Sequence, residues 1–336
     1  MSEPSPTSKR RGRLLRIGAA LVVLLAVAGY LAVQYLTGGT GGPGCKVVSA
    51  DDDGVGYEFT PEQAVNAATI AAVGTGRGMP ERAVTIALAT ALQESGLRNI
   101  EHGDRDSLGL FQQRPSQGWG TPKQIMEPTY AAGVFYEHLA KVPGYTRLPL
   151  TVAAQRVQRS GFPQAYAKHE PDATLLAAAL TGRAAATLTC QGRPSATRAS
   201  GPDAVRAALV RDFGREVLQE AGAEVGGSGN SSTRPTPTSS PSPGGASGTD
   251  DRTVTLPVRD TGTGAVGGGR GAVQRGWQLA HWAVANASAL HIERVSYAGR
   301  EWTAGVTDGR WRTTDAKNAD GTAGQGSEAV RITTAR

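Results

Sequence analysis

The 336-residue chain is poor in aromatics (5%), in methionine (3) and in cysteine (2). Cys45 and Cys190 lie too far apart in sequence to read as a zinc-ligand pair. Positive charge is scarce outside the first 16 residues. Lys9, Arg10, Arg11, Arg13 and Arg16 against Glu3 supply +4 of the formal +6, leaving +2 for the other 320 residues. The basic balance is therefore a property of one tail, and nucleic acid is not an implied partner. No internal repeat is present, which argues against a repeat architecture. Between residues 45 and 190 no stretch shows the period-two alternation of a strand, so that region reads as mostly helical.

Glycine (45) and proline (19) are plentiful and mark low-complexity segments around compact ones. Residues 17–36 (IGAALVVLLAVAGYLAVQYL) form an uncharged run of the length of a membrane-crossing helix. With the basic residues just before it, the run predicts a single-pass transmembrane helix behind a cytoplasmic basic tail, residues 1–16. A spacer at 37–44 would then lead to an extracellular bulk, giving a cell-membrane location. A cleavable signal peptide is the alternative. Either way the bulk of the chain leaves the cytoplasm. In an oxidising compartment Cys45 and Cys190, which bracket one candidate domain, would form a disulfide; two free thiols are the alternative.

Residues 45–190 carry helix signals in series. Thr60-Pro61-Glu62-Gln63 is a capping box with proline at the first helical position. Pro80-Glu81 starts a second helix that Gly96 should end, and Thr121-Pro122 starts another. Further helical patterns cover 129–141, 150–159 and 172–180. An amphipathic helix comes next at 202–222, then a Gly/Ser/Thr/Pro linker, expected to be disordered, at 226–252. Residues 253–336 read as a small α+β domain of strand, helix, hairpin and final strand.

Glu94 ends the second helix on the face of Ala87, Thr90 and Ala91. A carboxylate there is costly unless paired or used. The helix C-terminus and partial burial both raise its pKa, as a general acid for glycoside cleavage requires. A glutamate that merely bonds the next loop is the structural alternative. Fifteen residues on, counted glutamate to glycine, stands Gly109-Leu110-Phe111-Gln112, preceded by Ser107-Leu108. With Glu94-Ser95 at this spacing, residues 60–180 resemble the lysozyme-like soluble lytic transglycosylases. In that family a Glu-Ser pair is followed by Gly-Leu-Met-Gln, and Phe111 replaces the methionine. The 112–122 and 165–173 segments are similar to an actinobacterial, membrane-anchored branch.

The resemblance implies a lysozyme-like, mostly α domain after the transmembrane helix. It also implies an extracytoplasmic lytic transglycosylase or muramidase that cleaves the bond between N-acetylmuramic acid and N-acetylglucosamine in peptidoglycan strands. Glu94 would be the catalytic residue, working without cofactor or metal. Ser95, Gln112, Gln113, Trp119 and Tyr166 would contact the substrate or orient the acid. The family's Ala-Tyr-Asn motif is absent as such, and Tyr166 or Gln158 would supply its tyrosine's role beside the acid. Asp104 and Asp106 read as a solvated loop, or as activators of water in a hydrolase. The alternative function is a catalytically weak or inactive wall-binding scaffold. Residues 274–334 faintly resemble the C-terminal domain of actinobacterial peptidoglycan hydrolases, without its zinc-binding histidines. His281 and His291 find no third ligand, so this part is expected to bind wall or a protein partner. Its tryptophans, 277, 282, 302 and 311, are expected to be core rather than a sugar platform.

Overall fold

The computed structural model describes residues 44–51, 53–160, 163–191, 201–220, 252–258, 268–306, 310–314 and 329–335. The basic tail 1–16, the apolar run 17–36 and all of the spacer but Gly44 lie outside the described residues, as does the linker 226–252 except Arg252.

The expected fold class needs correction. The described residues are about half helical and contain two antiparallel sheets, and among them no helix is long and apolar enough to cross a membrane. The 45–190 region is framed by a three-stranded sheet in the order β2-β1-β3, built from β1 (Cys45–Val48), β2 (Gly56–Phe59) and β3 (Leu188–Cys190). These strands have three or four residues each, too few to display a period. Their partners are set by the ends of the domain: Cys45 faces Cys190 directly in the β1–β3 pair, and the two form a disulfide. It closes a loop of 145 residues. In the chain-entropy view this restricts the unfolded state by roughly 5 kcal/mol.

Helix α1 (Pro61–Gly76) starts at the Thr60 capping box, with both reciprocal hydrogen bonds present. Helix α2 (Glu81–Ser95) is buried on every face from Ala83 to Leu92, so it is the central element rather than an amphipathic surface helix. Small side chains (Ala83, Ala87, Ala89, Ala91) let its neighbours approach. Around it pack α1, α4 (Pro128–Ala140), α5 (Leu150–Gln158) and α6 (Glu170–Leu180). A short helix α3 (Pro122–Ile125) precedes α4 and carries its own capping box, Thr121 with Gln124. A 3-10 segment, Pro163–His169, joins α5 to α6.

After residue 200 come α7 (Gly201–Phe213) and α8 (Glu216–Glu220). The C-terminal part is a five-stranded antiparallel sheet in the order β4-β8-β5-β6-β7. Its strands are β4 (Thr253–Pro257), β5 (Ile292–Tyr297), β6 (Arg300–Thr303), β7 (Arg312–Thr313) and β8 (Ala329–Thr334). Against it lie α9 (Gly268–Ala285) and the short α10 (Ala287–Leu290). Ala298 and Gly299, both at positive φ (48° and 70°), make the β5–β6 turn. Positive φ at both central residues suits a tight hairpin.

One apolar core runs through both parts. Helix α9 packs on β5 and β8 on one side and on α1, α6 and β3 on the other. The seam is also polar. Trp282 Nε1 donates to Asp212 Oδ2 (2.8 Å), which also accepts from Thr69 and Arg211. Trp311 Nε1 donates to Leu188 O (2.9 Å) and Gln278 Nε2 to Thr75 Oγ1 (2.6 Å). The four tryptophans 277, 282, 302 and 311 are all buried.

Candidate active site

The last turn of α2 carries Gln93, Glu94 and Ser95, and the chain then reverses through Gly96 and Leu97, both in the left-handed region (φ 62° and 59°). Two polar side chains of α1 hold this reversal: Gln63 Nε2 donates to Gly96 O (2.7 Å) and Asn66 Nδ2 to Leu97 O (2.8 Å). Carbonyl groups that a helix end leaves unpaired are thus satisfied from the neighbouring helix. Ser95 is buried. Its hydroxyl lies 2.8 Å from Leu110 O and 3.1 Å from Ala91 O, tying α2 to the Gly-Leu-Phe-Gln turn.

That turn is a tight hairpin in which Leu108 and Gln113 pair by two backbone hydrogen bonds of 3.0 Å. Gly109 sits at φ 74°, and a Cβ there would come within 2.8 Å of Ile125 O. Phe111 is fully buried and stacks on Phe135 with ring centroids 4.6 Å apart. Gln112 (φ 47°) folds its amide over the preceding loop, donating to Gly109 O (3.2 Å) and His102 O (3.4 Å). Gln113 is buried and donates to Ala131 O (3.0 Å). It therefore braces α4 instead of lining an open groove. Asp106 accepts from Arg114 (2.8 Å) and Ser116 N (2.8 Å), and these partners hold its carboxyl well below the usual range. Asp104 is exposed, beside Arg105.

Glu94 itself meets Tyr166. The Tyr166 hydroxyl donates to Glu94 Oε1 at 2.7 Å, from a side chain fully buried in the 3-10 segment after α5. Gln158, the last residue of α5, donates to Phe111 O (2.7 Å), and its side chain lies beside the Glu94 carboxylate. Burial pushes the Glu94 pKa up, and the bonds from Tyr166 and Gln158 pull the other way. Burial and the adjacent Glu94 together keep the Tyr166 phenol well above its ordinary value, so it remains a donor. The result is a half-buried carboxyl group with two neutral donors and a raised pKa.

An open cleft of about 590 Å³ extends from Gln158. One wall is Trp119 against His138, with ring centroids 4.3 Å apart; Val142 and Val157 contribute apolar surface. Lys141, Arg156 and Arg159 complete the lining. On the other flank, His169 Nε2 lies 3.2 Å from Gln93 Oε1. Burial, with Lys168 beside it, lowers the His169 pKa, and burial raises that of Asp172 nearby.

The structure thus places Glu94, Tyr166 and Gln158 together, with Trp119 in the cleft and Ser95 and Gln113 behind it. Motif reading missed His138, Lys141, Arg156 and Arg159. The three cations fall at the C-terminal ends of α4 and α5, which is their one sequence signal. His281 Nδ1 is bonded to Ala179 O (2.7 Å) in the core, and His291 (φ 53°) caps α10.

No protein-family model matches the chain, and no curated protein is similar enough to count as a relative.

Proposed function

We propose that the protein is an extracytoplasmic glycoside-cleaving enzyme of the lytic transglycosylase type, acting on peptidoglycan strands through Glu94. The observation that carries this reading is the 2.7 Å hydrogen bond from Tyr166 to Glu94. Burial favours the protonated form at the moment of substrate binding, while Tyr166 and Gln158 steady the carboxylate that forms. In the first step Glu94 gives its proton to the bridging oxygen as the bond from the muramyl anomeric carbon breaks. In the second the Glu94 carboxylate takes the proton of the muramyl 6-hydroxyl as that oxygen bonds to the anomeric carbon. An internal nucleophile makes a second carboxylate unnecessary. Asp106, already occupied by Arg114 and Ser116, is not required. The Cys45–Cys190 disulfide agrees with a compartment outside the cytoplasm.

The test is digestion of purified wall by the full chain and by Glu94→Gln, with mass spectrometry of the released sugars. Anhydro-muramyl ends from the wild type are expected, with a rate lowered by roughly 10²–10⁴ in the variant, the contribution usual for a general acid–base. Reducing ends would make the enzyme a muramidase. Wall binding without release by either protein would establish the scaffold function and overturn the catalytic one.

A further inference from the structure

Three exposed cations line the cleft that begins at Gln158: Lys141, Arg156 and Arg159. They come from two elements. Lys141 follows the last turn of α4, Arg156 lies in the last turn of α5, and Arg159 caps α5 in the left-handed region (φ 52°). Helix C-termini favour cations in general, and that alone would account for any one of them. It does not account for their convergence on one cleft whose lining residue Gln158 lies beside Glu94. Nor does it account for their being unspent. The ion pairs of the neighbouring surface use other cations: Arg77 takes Glu137, Arg82 takes Glu170 and Arg114 takes Asp106. Among the described residues no carboxylate pairs with Lys141, Arg156 or Arg159, and no acidic residue lines the cleft.

The rest of the lining has a different chemistry. Trp119 and His138 present a ring surface, and Val142 and Val157 present apolar area. A sugar ring with its apolar C–H face can lie against such a wall. A neutral sugar would leave the cations with nothing to neutralise. A sugar carrying a carboxylate would satisfy both sides at once.

We propose that Lys141, Arg156 and Arg159 form an anion clamp that selects glycan strands bearing carboxylates on the sugar next to the cleaved bond. This deepens the glycan-cleaving reading and rests on it. The carboxylates a muramyl residue offers are that of its free lactyl ether, in a peptide-free strand, or those of an attached stem peptide.

The experiment measures binding of three glycans to the full chain carrying Glu94→Gln, so that none is consumed. They are a neutral N-acetylglucosamine hexamer, peptide-free muramyl strands with free lactyl groups, and strands with intact stem peptides. At low salt at least one acidic strand is expected to bind roughly tenfold or more tightly than the neutral hexamer, with the advantage shrinking at high salt. Adding Lys141→Gln, Arg156→Gln and Arg159→Gln should abolish the advantage while the hexamer binds as before, which also shows that the variant is folded. Arg156→Lys with Arg159→Lys should retain most of it. Preference for the peptide-free strand identifies the lactyl carboxylate as the recognised group; preference for the intact strand identifies the peptide. Equal affinity for neutral and acidic glycans, or a preference that survives loss of all three cations, overturns the clamp and leaves the glycan-cleaving reading standing. Binding of no glycan at all overturns both.

Discussion

Tyr166 opposes the effect of burial on the proton state of Glu94. Its hydroxyl is a neutral donor aimed at one carboxylate oxygen, so it stabilises the charged form against the burial that opposes it. In Tyr166→Phe burial acts with one opponent fewer, and the Glu94 pKa should rise further. The protonated acid would then persist to higher pH, while the carboxylate that the proposed second step uses as base would form later. The rate profile against pH should move to the alkaline side, and the maximal rate should fall roughly tenfold, in keeping with a lost hydrogen bond to a charged group. An unmoved profile with a lowered rate would reduce Tyr166 to packing. At this scale the pairing of Glu94 with Tyr166 was legible, Glu94 from its spacing to Gly109 and Tyr166, with Gln158 as the alternative, from its position late in the domain. Gln113 was not, because a buried glutamine bonded to Ala131 O and an exposed one in a groove are the same letter in the same motif.

At the scale of elements, the Glu94 end of α2 is held by turns as well as by the side chains of α1. Ser95 to Leu110 O, Gly109 N to Ile100 O and the Leu108–Gln113 pair make one small lattice behind Glu94. Gly109 is the member with no substitute, having both positive φ and a close approach to Ile125 O. Gly109→Ala should therefore cost about 1–2 kcal/mol from the backbone conformation alone, and more from the displaced contact. Thermal unfolding measures the first effect. A loss of activity larger than the stability loss would show that the turn positions Glu94 as well as supporting the fold. The two capping boxes, at Thr60 and Thr121, were readable because each is complete within four residues. Strands β1 and β3 were not. Each is three or four residues long, and their pairing joins positions 145 residues apart, which no local pattern encodes. The disulfide was the one mark they left in the sequence.

For the whole molecule, the Gly/Ser/Pro stretch before residue 253 gives no hint that the C-terminal part shares a core with the helical domain. Tryptophans 277, 282, 302 and 311 read as the interior of a small separate domain; in the structure Trp282 reaches Asp212 and Trp311 reaches Leu188, so the same burial also joins the two parts. His281 lies at the middle of that seam. It is fully buried between Trp277, Trp311 and Ala179 O, and burial lowers its pKa to about 4. The folded protein therefore keeps it neutral where an unfolded chain, with an ordinary value near 6.5, takes up a proton. Above that ordinary value the stability it permits is fully present; from about pH 6.5 down to about 4 stability falls, and below that the loss levels off. The size of the loss is about 3 kcal/mol for this one group. His281→Gln keeps a donor for Ala179 O and removes the titration. The variant should start less stable at neutral pH, because its neighbours were packed around a ring, yet lose about 3 kcal/mol less than the wild type on acidification, as read from urea unfolding across that range. His169, also lowered, is present in both proteins, so the difference between the two curves belongs to position 281. Parallel curves would mean that the wild-type ring is already accommodated in its charged form, and that the seam between the two parts is looser than the burial of His281 implies.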